Sequence, residues 1–316
     1  MKLISLEEIK SVLPSIDLMA EIEAGFGAYS AGQSVVPPVG ELIFDEPPGE
    51  VHIKYGYIKN DDYYVIKIAS GFFENHKLGL PTSNGMMLLF SQKTGEPIAV
   101  LADEGYLTDI RTAVAGAIAA KYLAPKKVNK IGIVGTGVQA RLQLSYLNGV
   151  VDCTDVLVAG RSAEKLAAYK ADMEREGFSV ETTTNPDDVA ASCNFIVTTT
   201  PATEPLIRMA AMHALGAHIT AMGSDTPHKQ EVEGSILASA DLIVADSISQ
   251  CMVRGEIFKA IEKGQMNSEG LVELGQIILR HHPGRTDEDQ LTIADLTGVA
   301  VQDIAITKAV YEALRS

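Results

Sequence analysis

KIGIVGTGVQARLQ, residues 130–143, reads as an apolar strand that turns directly into a helix. Gly135 and Gly137 occupy the first two places of a G-x-G-x-x-A string, and Ala140 the third, where a helix must pack closely on its strand. The tight turn needs the first glycine, and the second lets the backbone approach a pyrophosphate. The helix N-terminus offers unpaired N–H groups to its negative charge, so Val138 and Gln139 join the cofactor-binding candidates. Alone the string marks only a tight turn. The alternating strands and helices downstream of it give it context.

A dinucleotide fold that selects NAD presents an acid to the ribose hydroxyls about twenty residues further on. VLVAGRSAEK (156–165) has Gly160 there, followed by Arg161 and Ser162, a guanidinium and a hydroxyl suited to a 2′-phosphate. NADPH is therefore the expected coenzyme, with NADH possible; the competing reading makes Arg161 a solvated loop residue. Beyond it, the apolar runs DVLVAG (155–160), NFIVTTT (194–200), AHITAMG (217–223) and DLIVAD (241–246) alternate with helical stretches. Such runs are buried on both faces, and the alternation predicts an α/β, Rossmann-type doubly wound parallel sheet. Thr199, Thr200 and Met222, at the ends of two of these strands, are further cofactor candidates.

Upstream the texture differs. Ser5 and Glu8 have capping-box spacing, and residues 15–32 repeat apolar positions three and four apart, so two helices open the chain and Gly32 stops the second. GELIFD (40–45), VHIKYGYI (51–58), YYVIKIASGFF (63–73), NGMMLLFSQ (84–92) and PIAVLAD (97–103) read as an antiparallel meander. PPGE, KNDD and KTGE supply its turns, and Met86 and Met87 fill its core. LTDIRTAVAGAIAAKYLAP (107–125) is an Ala-rich helix ended by Pro125. Residues 1–125 then form a substrate-binding and dimerisation lobe of α+β type, with a C-terminal helix, 300–316, returning to it. Residues 126–299 form the dinucleotide-binding domain.

The 316 residues are 46% hydrophobic and 21% charged, with net charge −15, which disfavours nucleic acid as a partner. An anionic substrate would need a local cluster of cations. No apolar run is long enough to span a membrane, and the acid-rich N-terminus lacks a secretory pattern, so a cytoplasmic protein is expected. Cys153, Cys193 and Cys251 lie too far apart for paired zinc ligands or a disulfide framework. His281 and His282 sit in a polar turn region without an acid or Cys at ligand spacing, and no metal is expected.

Four stretches, DEGYLTDIRTAVAGAIAAKYLAP (103–125), IGIVGTGVQA (131–140), GSDTPHKQE (223–231) and DLTGVAVQD (295–303), together resemble the ornithine cyclodeaminase and mu-crystallin family. The resemblance spans nearly the whole chain. It implies a homodimer with an active site between a substrate lobe and a Rossmann lobe. It also implies that Arg111 and Lys67 hold a substrate carboxylate, that Asp225 carries protons, and that Gly298 and Val299 lie near the nicotinamide. Lys67 and Asp225 are thus the catalytic candidates. Without the resemblance, a strand lysine would be read as snorkelling to solvent, and Arg111 as pairing with Asp103 or Asp109. The sequence departs from the family at PPVGELIF (37–44), where Gly40 replaces a usual cation; His52 and Lys54, on one strand face, are candidates to replace it.

A guanidinium gripping a carboxylate fixes the neighbouring carbon for hydride transfer, and a carboxylate near an iminium stabilises it. The expected reaction is reduction of a cyclic ketimine, pyrroline-2-carboxylate or piperideine-2-carboxylate, to L-proline or L-pipecolate. Net reduction suits an NADP signature, and VHIKYGY holds no acid to bind a side-chain amine. The alternatives are an ornithine or lysine cyclodeaminase with bound NAD, an alanine-dehydrogenase-like enzyme, and a non-catalytic dinucleotide binder of crystallin type.

Overall fold

The structure, a computed structural model, describes residues 1–72, 74–212 and 216–315. Phe73, at the end of the third predicted meander strand, and Ser316, at the end of the predicted C-terminal helix, lie outside them. The elements run β1 (Lys2–Ser5), α1 (Leu6–Val12), α2 (Leu18–Ser30), β2 (Ser34–Val35), β3 (Gly40–Phe44), β4 (Gly49–Ile58), β5 (Tyr63–Phe72), β6 (Ser83–Ser91), β7 (Pro97–Ala102) and α3 (Tyr106–Leu123). Then come β8 (Ile131–Val134), α4 (Val138–Leu147), β9 (Asp155–Ala159), α5 (Ala163–Arg175), β10 (Ser179–Thr183), α6 (Pro186–Ser192), β11 (Phe195–Thr198) and β12 (His218–Ala221). The last are α7 (Gly234–Ser239), β13 (Leu242–Ala245), α8 (Ile248–Cys251), α9 (Gly255–Glu262), β14 (Val272–Glu273), α10 (Leu274–Ile278), β15 (Thr292–Asp295) and α11 (Ala300–Ala313).

Two compact units result: Met1–Arg111 with Val299–Ser316, and Thr112–Gly298. The division falls inside α3, whereas the sequence reading put it after Pro125. A helix that continues unbroken carries no composition shift to mark it.

In the first unit β4 to β7 form the antiparallel meander, extended by β2 and β3 on β4 and by β1, parallel to β7. At four residues β1 is too short to show a period of its own. Ser5 closes the predicted capping box with Glu8 at the start of α1. One row of register partners crosses the sheet: Ile4, Leu101, Met87, Lys67, Lys54. The row begins apolar and ends in two lysines. α11 covers it, with the Thr307 hydroxyl reaching Met87 and Asp303 reaching Lys67. Against α11 lies α2, where a side chain at Gly25 would meet the Val301 carbonyl oxygen at 3.0 Å. Of the two methionines assigned to the core only Met87 is buried; Met86 is exposed, as strand alternation requires.

In the second unit eight strands, all parallel, lie in the order β10-β9-β8-β11-β12-β15-β13-β14. The chain builds outward from β8 through β9 and β10, then crosses to β11 on the other side, so the order reverses between β8 and β11. Open α/β sheets bind ligands at that crevice, beyond the strand carboxyl ends. The sequence reading missed β10, β14 and β15. β15 is the informative omission: TIAD is fully buried, yet its four residues are too few to show a period, and Thr292 and Asp295 find their partners only in the folded chain. Among the described residues no helix is long and apolar enough to cross a membrane, and no group of His, Cys, Asp or Glu is arranged to hold a metal ion.

Candidate active site

Within the first unit the structure brings Lys67 and Arg111 together on a residue the sequence reading did not single out, Asp303. Lys67, on β5, is 2% exposed, and its Nζ lies 3.1 Å from Asp303 Oδ2. Arg111 Nε lies 3.1 Å from the other oxygen, and its Nη1 donates to Gln302 Oε1 at 2.9 Å. Arg111 is aimed by α3, whose first turn is tied down where Asp103 accepts the Leu107 N–H at 2.8 Å. Asp303 and Gln302 stand on the first turn of α11. Neither local acid is the partner the geometry selects for Arg111; that acid is 192 positions away in the chain, since 303 − 111 = 192.

The electrostatics follow from burial and charge. Burial alone would push the Asp303 carboxyl up, but Lys67, Arg111 and Lys54 outweigh it and hold it below the ordinary range. Burial pulls Lys67 down to about 7, against the attraction of Asp303 and with the repulsion of Arg111 and Lys54. The two shifts pull the ion pair in opposite senses. A guanidinium stays charged throughout, so Arg111 keeps Asp303 ionised, and Lys67 is the group that yields its proton.

His52 and Lys54 share the Lys67 face of the sheet, Lys54 in direct register with Lys67, and both are buried rather than solvated. His52 has Glu41 at 3.4 Å from Nδ1 and Glu50 at 3.5 Å from Nε2. The acids absent from VHIKYGY therefore stand beside it, one residue upstream and across the strand on β3. Gly40 lies opposite Ile53.

In the second unit the glycine turn has the predicted form. Gly135, at φ +121°, donates to the Ala159 carbonyl at 2.9 Å, and a side chain there would meet Thr199 Oγ1 at 2.5 Å. Gly137 caps α4 without a side-chain bond, and a Cβ on it would meet nothing within 4 Å. That open space above the first N–H groups of α4 is what an incoming pyrophosphate requires. Val138 and Gln139 begin the helix, and Ala140 is buried, its carbonyl accepting the Tyr169 hydroxyl at 3.0 Å. Arg141 reaches back to the Thr136 carbonyl at 2.6 Å.

Gly160 follows β9, leaving Arg161 exposed and Ser162 as the N-cap of α5, its hydroxyl accepting the Lys165 N–H at 3.3 Å. Thr199 Oγ1 is bonded to the Val134 carbonyl at 3.1 Å, and Thr200 Oγ1 to Glu231 at 2.7 Å. These hydroxyls shape the loops they sit on. Met222 is buried, and Gly298 gives its N–H to Asp246 at 2.6 Å. Val299 caps α11. Asp225 follows β12 and pairs with Lys229 at 2.7 Å.

A parallel sheet with a glycine turn at its switch point is the architecture of a nucleotide-dependent protein, and the first unit buries two cationic side chains on one acid. The chain belongs to the ornithine cyclodeaminase/mu-crystallin family, whose profile matches residues 2–316. It is 40% identical to an uncharacterized cyclodeaminase of Sinorhizobium fredii, covering 99% of this chain and 95% of that one. It superposes with TM-score 0.91 on an archaeal alanine dehydrogenase dimer with bound NAD, at 33% identity and covering 99% and 95% of the two chains. On Thermococcus litoralis Δ1-pyrroline-2-carboxylate reductase with NADH and L-proline the TM-score is 0.92, at 25% identity and covering 99% and 97%. The protein is an oxidoreductase of amino or imino acids that uses a nicotinamide dinucleotide.

Proposed function

We propose that the protein reduces cyclic ketimines bearing a carboxylate, pyrroline-2-carboxylate or piperideine-2-carboxylate, to the cyclic amino acids, with NADPH preferred over NADH. The observation that carries this reading is the buried Lys67–Asp303–Arg111 cluster. Arg111 meets Asp303 through Nε and Gln302 through Nη1, and Lys67 Nζ meets Asp303. Arg111 and Lys67 receive the substrate carboxylate, Arg111 as the permanent cation, and Asp303 fixes both in place. Lys54 supplies the cation the family usually carries at position 40. Asp225, paired with Lys229, holds or releases the proton of the imine nitrogen.

The turn at Gly135, Gly137 and Ala140, with Val138, Gln139, Thr199, Thr200, Met222, Gly298 and Val299, holds the dinucleotide. When bound, the nicotinamide supplies hydride at the carbon–nitrogen bond. Arg161 and Ser162, with no acid at Gly160, favour a 2′-phosphate. Exposed Leu42, Ile43 and Phe44 on β3 support a homodimer, and three free cysteines suit a reducing cytoplasm.

Oxidation of NADPH and NADH is measured with pyrroline-2-carboxylate, piperideine-2-carboxylate, and pyruvate plus ammonia. Turnover of a cyclic imine with NADPH ahead supports the reading, and failure with both imines overturns it. Arg161→Ala is expected to lower the NADPH:NADH preference by about tenfold.

One observation favours a second reading. Glu41 and Glu50 beside His52 are placed to attract the side-chain amine of a diamino acid, which suits an ornithine or lysine cyclodeaminase. Ammonia release from L-ornithine or L-lysine without added dinucleotide would establish that reading in place of the first.

A further inference from the structure

We propose that Glu231 is a positioning residue that clasps the two loops on which the dinucleotide rests, one leaving β11 at Thr198–Thr200 and one leaving β12 at Met222–Gly223. The inference rests on the reading of those loops as cofactor-binding. Glu231 is completely buried and its carboxylate is saturated. Oε1 accepts the Thr200 N–H at 2.5 Å and its hydroxyl at 2.7 Å, and Oε2 accepts the Thr198 hydroxyl at 2.8 Å and the Gly223 N–H at 2.8 Å. Each oxygen thus takes one backbone N–H, and the two come from different loops.

Neither loop has slack. A side chain at Gly223 would collide with the Thr200 carbonyl oxygen and come within 2.5 Å of Glu231 Oε2. Behind the clasp, Glu256 accepts the N–H groups of Glu231 and Val232 at 2.7 and 3.1 Å, and Asp295 holds the Ile257 N–H at 2.8 Å. Each acid fixes the backbone that carries the next. Asp295, at the end of β15, fixes α9; Glu256, on α9, fixes residue 231; Glu231 fixes the ends of β11 and β12. The strand ends are also joined where the Met222 N–H donates to the Thr198 carbonyl at 3.0 Å; beyond that bond, the Glu231 carboxylate ties Thr200 to Gly223. Hydroxyls can turn to suit a changed partner, whereas backbone N–H groups cannot, so the clasp needs an acceptor on both sides.

Glu231→Gln puts an amide NH2 against one of the two backbone N–H groups whichever way the amide turns. The variant should raise the Kd of NADPH and NADH tenfold or more and raise the dinucleotide KM in parallel. The KM for piperideine-2-carboxylate should stay within twofold. Without any ligand, amide hydrogen exchange at Thr200 and Gly223 should speed up by a similar factor. Thr198→Val, which removes a single hydroxyl donor and keeps the shape, should give the same pattern at about threefold; it decides the matter if Glu231→Gln folds poorly. Wild-type Kd with wild-type exchange at both amides overturns the proposal, as does an equal rise in both KM values. Gly137→Asp separates the underlying reading: if it leaves dinucleotide affinity unchanged, the assignment of the turn fails, while the exchange rates still decide whether Glu231 clasps the loops.

Discussion

Asp303 in the first unit and Glu231 in the second are both acids buried from water, yet they hold their protons in opposite ways. Asp303 faces two cations and stays ionised below the ordinary range. Glu231 faces four neutral donors; burial pushes it up to about 7 against them. Asp295 behaves as Glu231 does, also raised to about 7 by burial and by the nearby charge of Asp246. Neutral dipoles organise a buried carboxylate without fully offsetting its desolvation, whereas full charges do both. The first arrangement keeps the Asp303 carboxylate ionised at neutral pH. The second suits a frame whose task is to hold backbone in place.

The comparison breaks most visibly at Asp303. Asp303→Asn leaves two buried cations without their acid, and urea denaturation should show a loss of about 3–5 kcal/mol. A loss below about 1 kcal/mol would mean that the cluster is not the charge lock described. Arg111→Ala should lower kcat/KM for the imino acid about a hundredfold, equivalent to about 2.7 kcal/mol, while the Kd for NADPH stays within twofold. Equal losses on both ligands would deny it a carboxylate-binding role.

Stability against pH sharpens the contrast, at a slope of up to about 1.4 kcal/mol per pH unit for each group. Between pH 4.5 and 7 folded Glu231 keeps a proton that the unfolded chain has lost, so this group's contribution falls as pH rises. Between about 7 and 10.5 unfolded Lys67 binds a proton that the folded side chain has released, so its contribution rises with pH. Glu231→Gln should flatten the first limb and Lys67→Met the second, in denaturation series run across both windows; a profile unchanged in either variant refutes the corresponding shift. The smallest effect belongs to Gly137→Ala, within about 0.5 kcal/mol in stability because a Cβ there meets nothing, yet weakening dinucleotide binding about tenfold. Unchanged affinity would mean that nothing approaches that backbone.

Much of this was legible in the chain. The glycine turn, the Ala-rich helix and the meander carry local signals of period, capping and turn chemistry. Lys67 and Arg111 stand out only through a resemblance that spans both units; local signals alone favour their bland alternatives. Asp303 lies inside DLTGVAVQD, where an acid in a helix's first turn is ordinary and carries no local mark of function. Glu231 likewise ended GSDTPHKQE. Its partners, Thr198, Thr200 and Gly223, occupy neighbouring strand ends that only the sheet order brings together. The exposure of Met86 and the burial of His52 and Lys54 turned on which strand face the helices cover.

The sequence by itself determined most of the elements, the glycine turn and the residue types available for chemistry, because those depend on spacings of a few residues. Tertiary structure alone decided which acid meets which cation, which acid meets only N–H groups, and that TIAD joins the middle of the sheet. Those outcomes depend on contacts between segments far apart in the chain, and burial, which sets the protonation of each acid, exists only once such segments have packed.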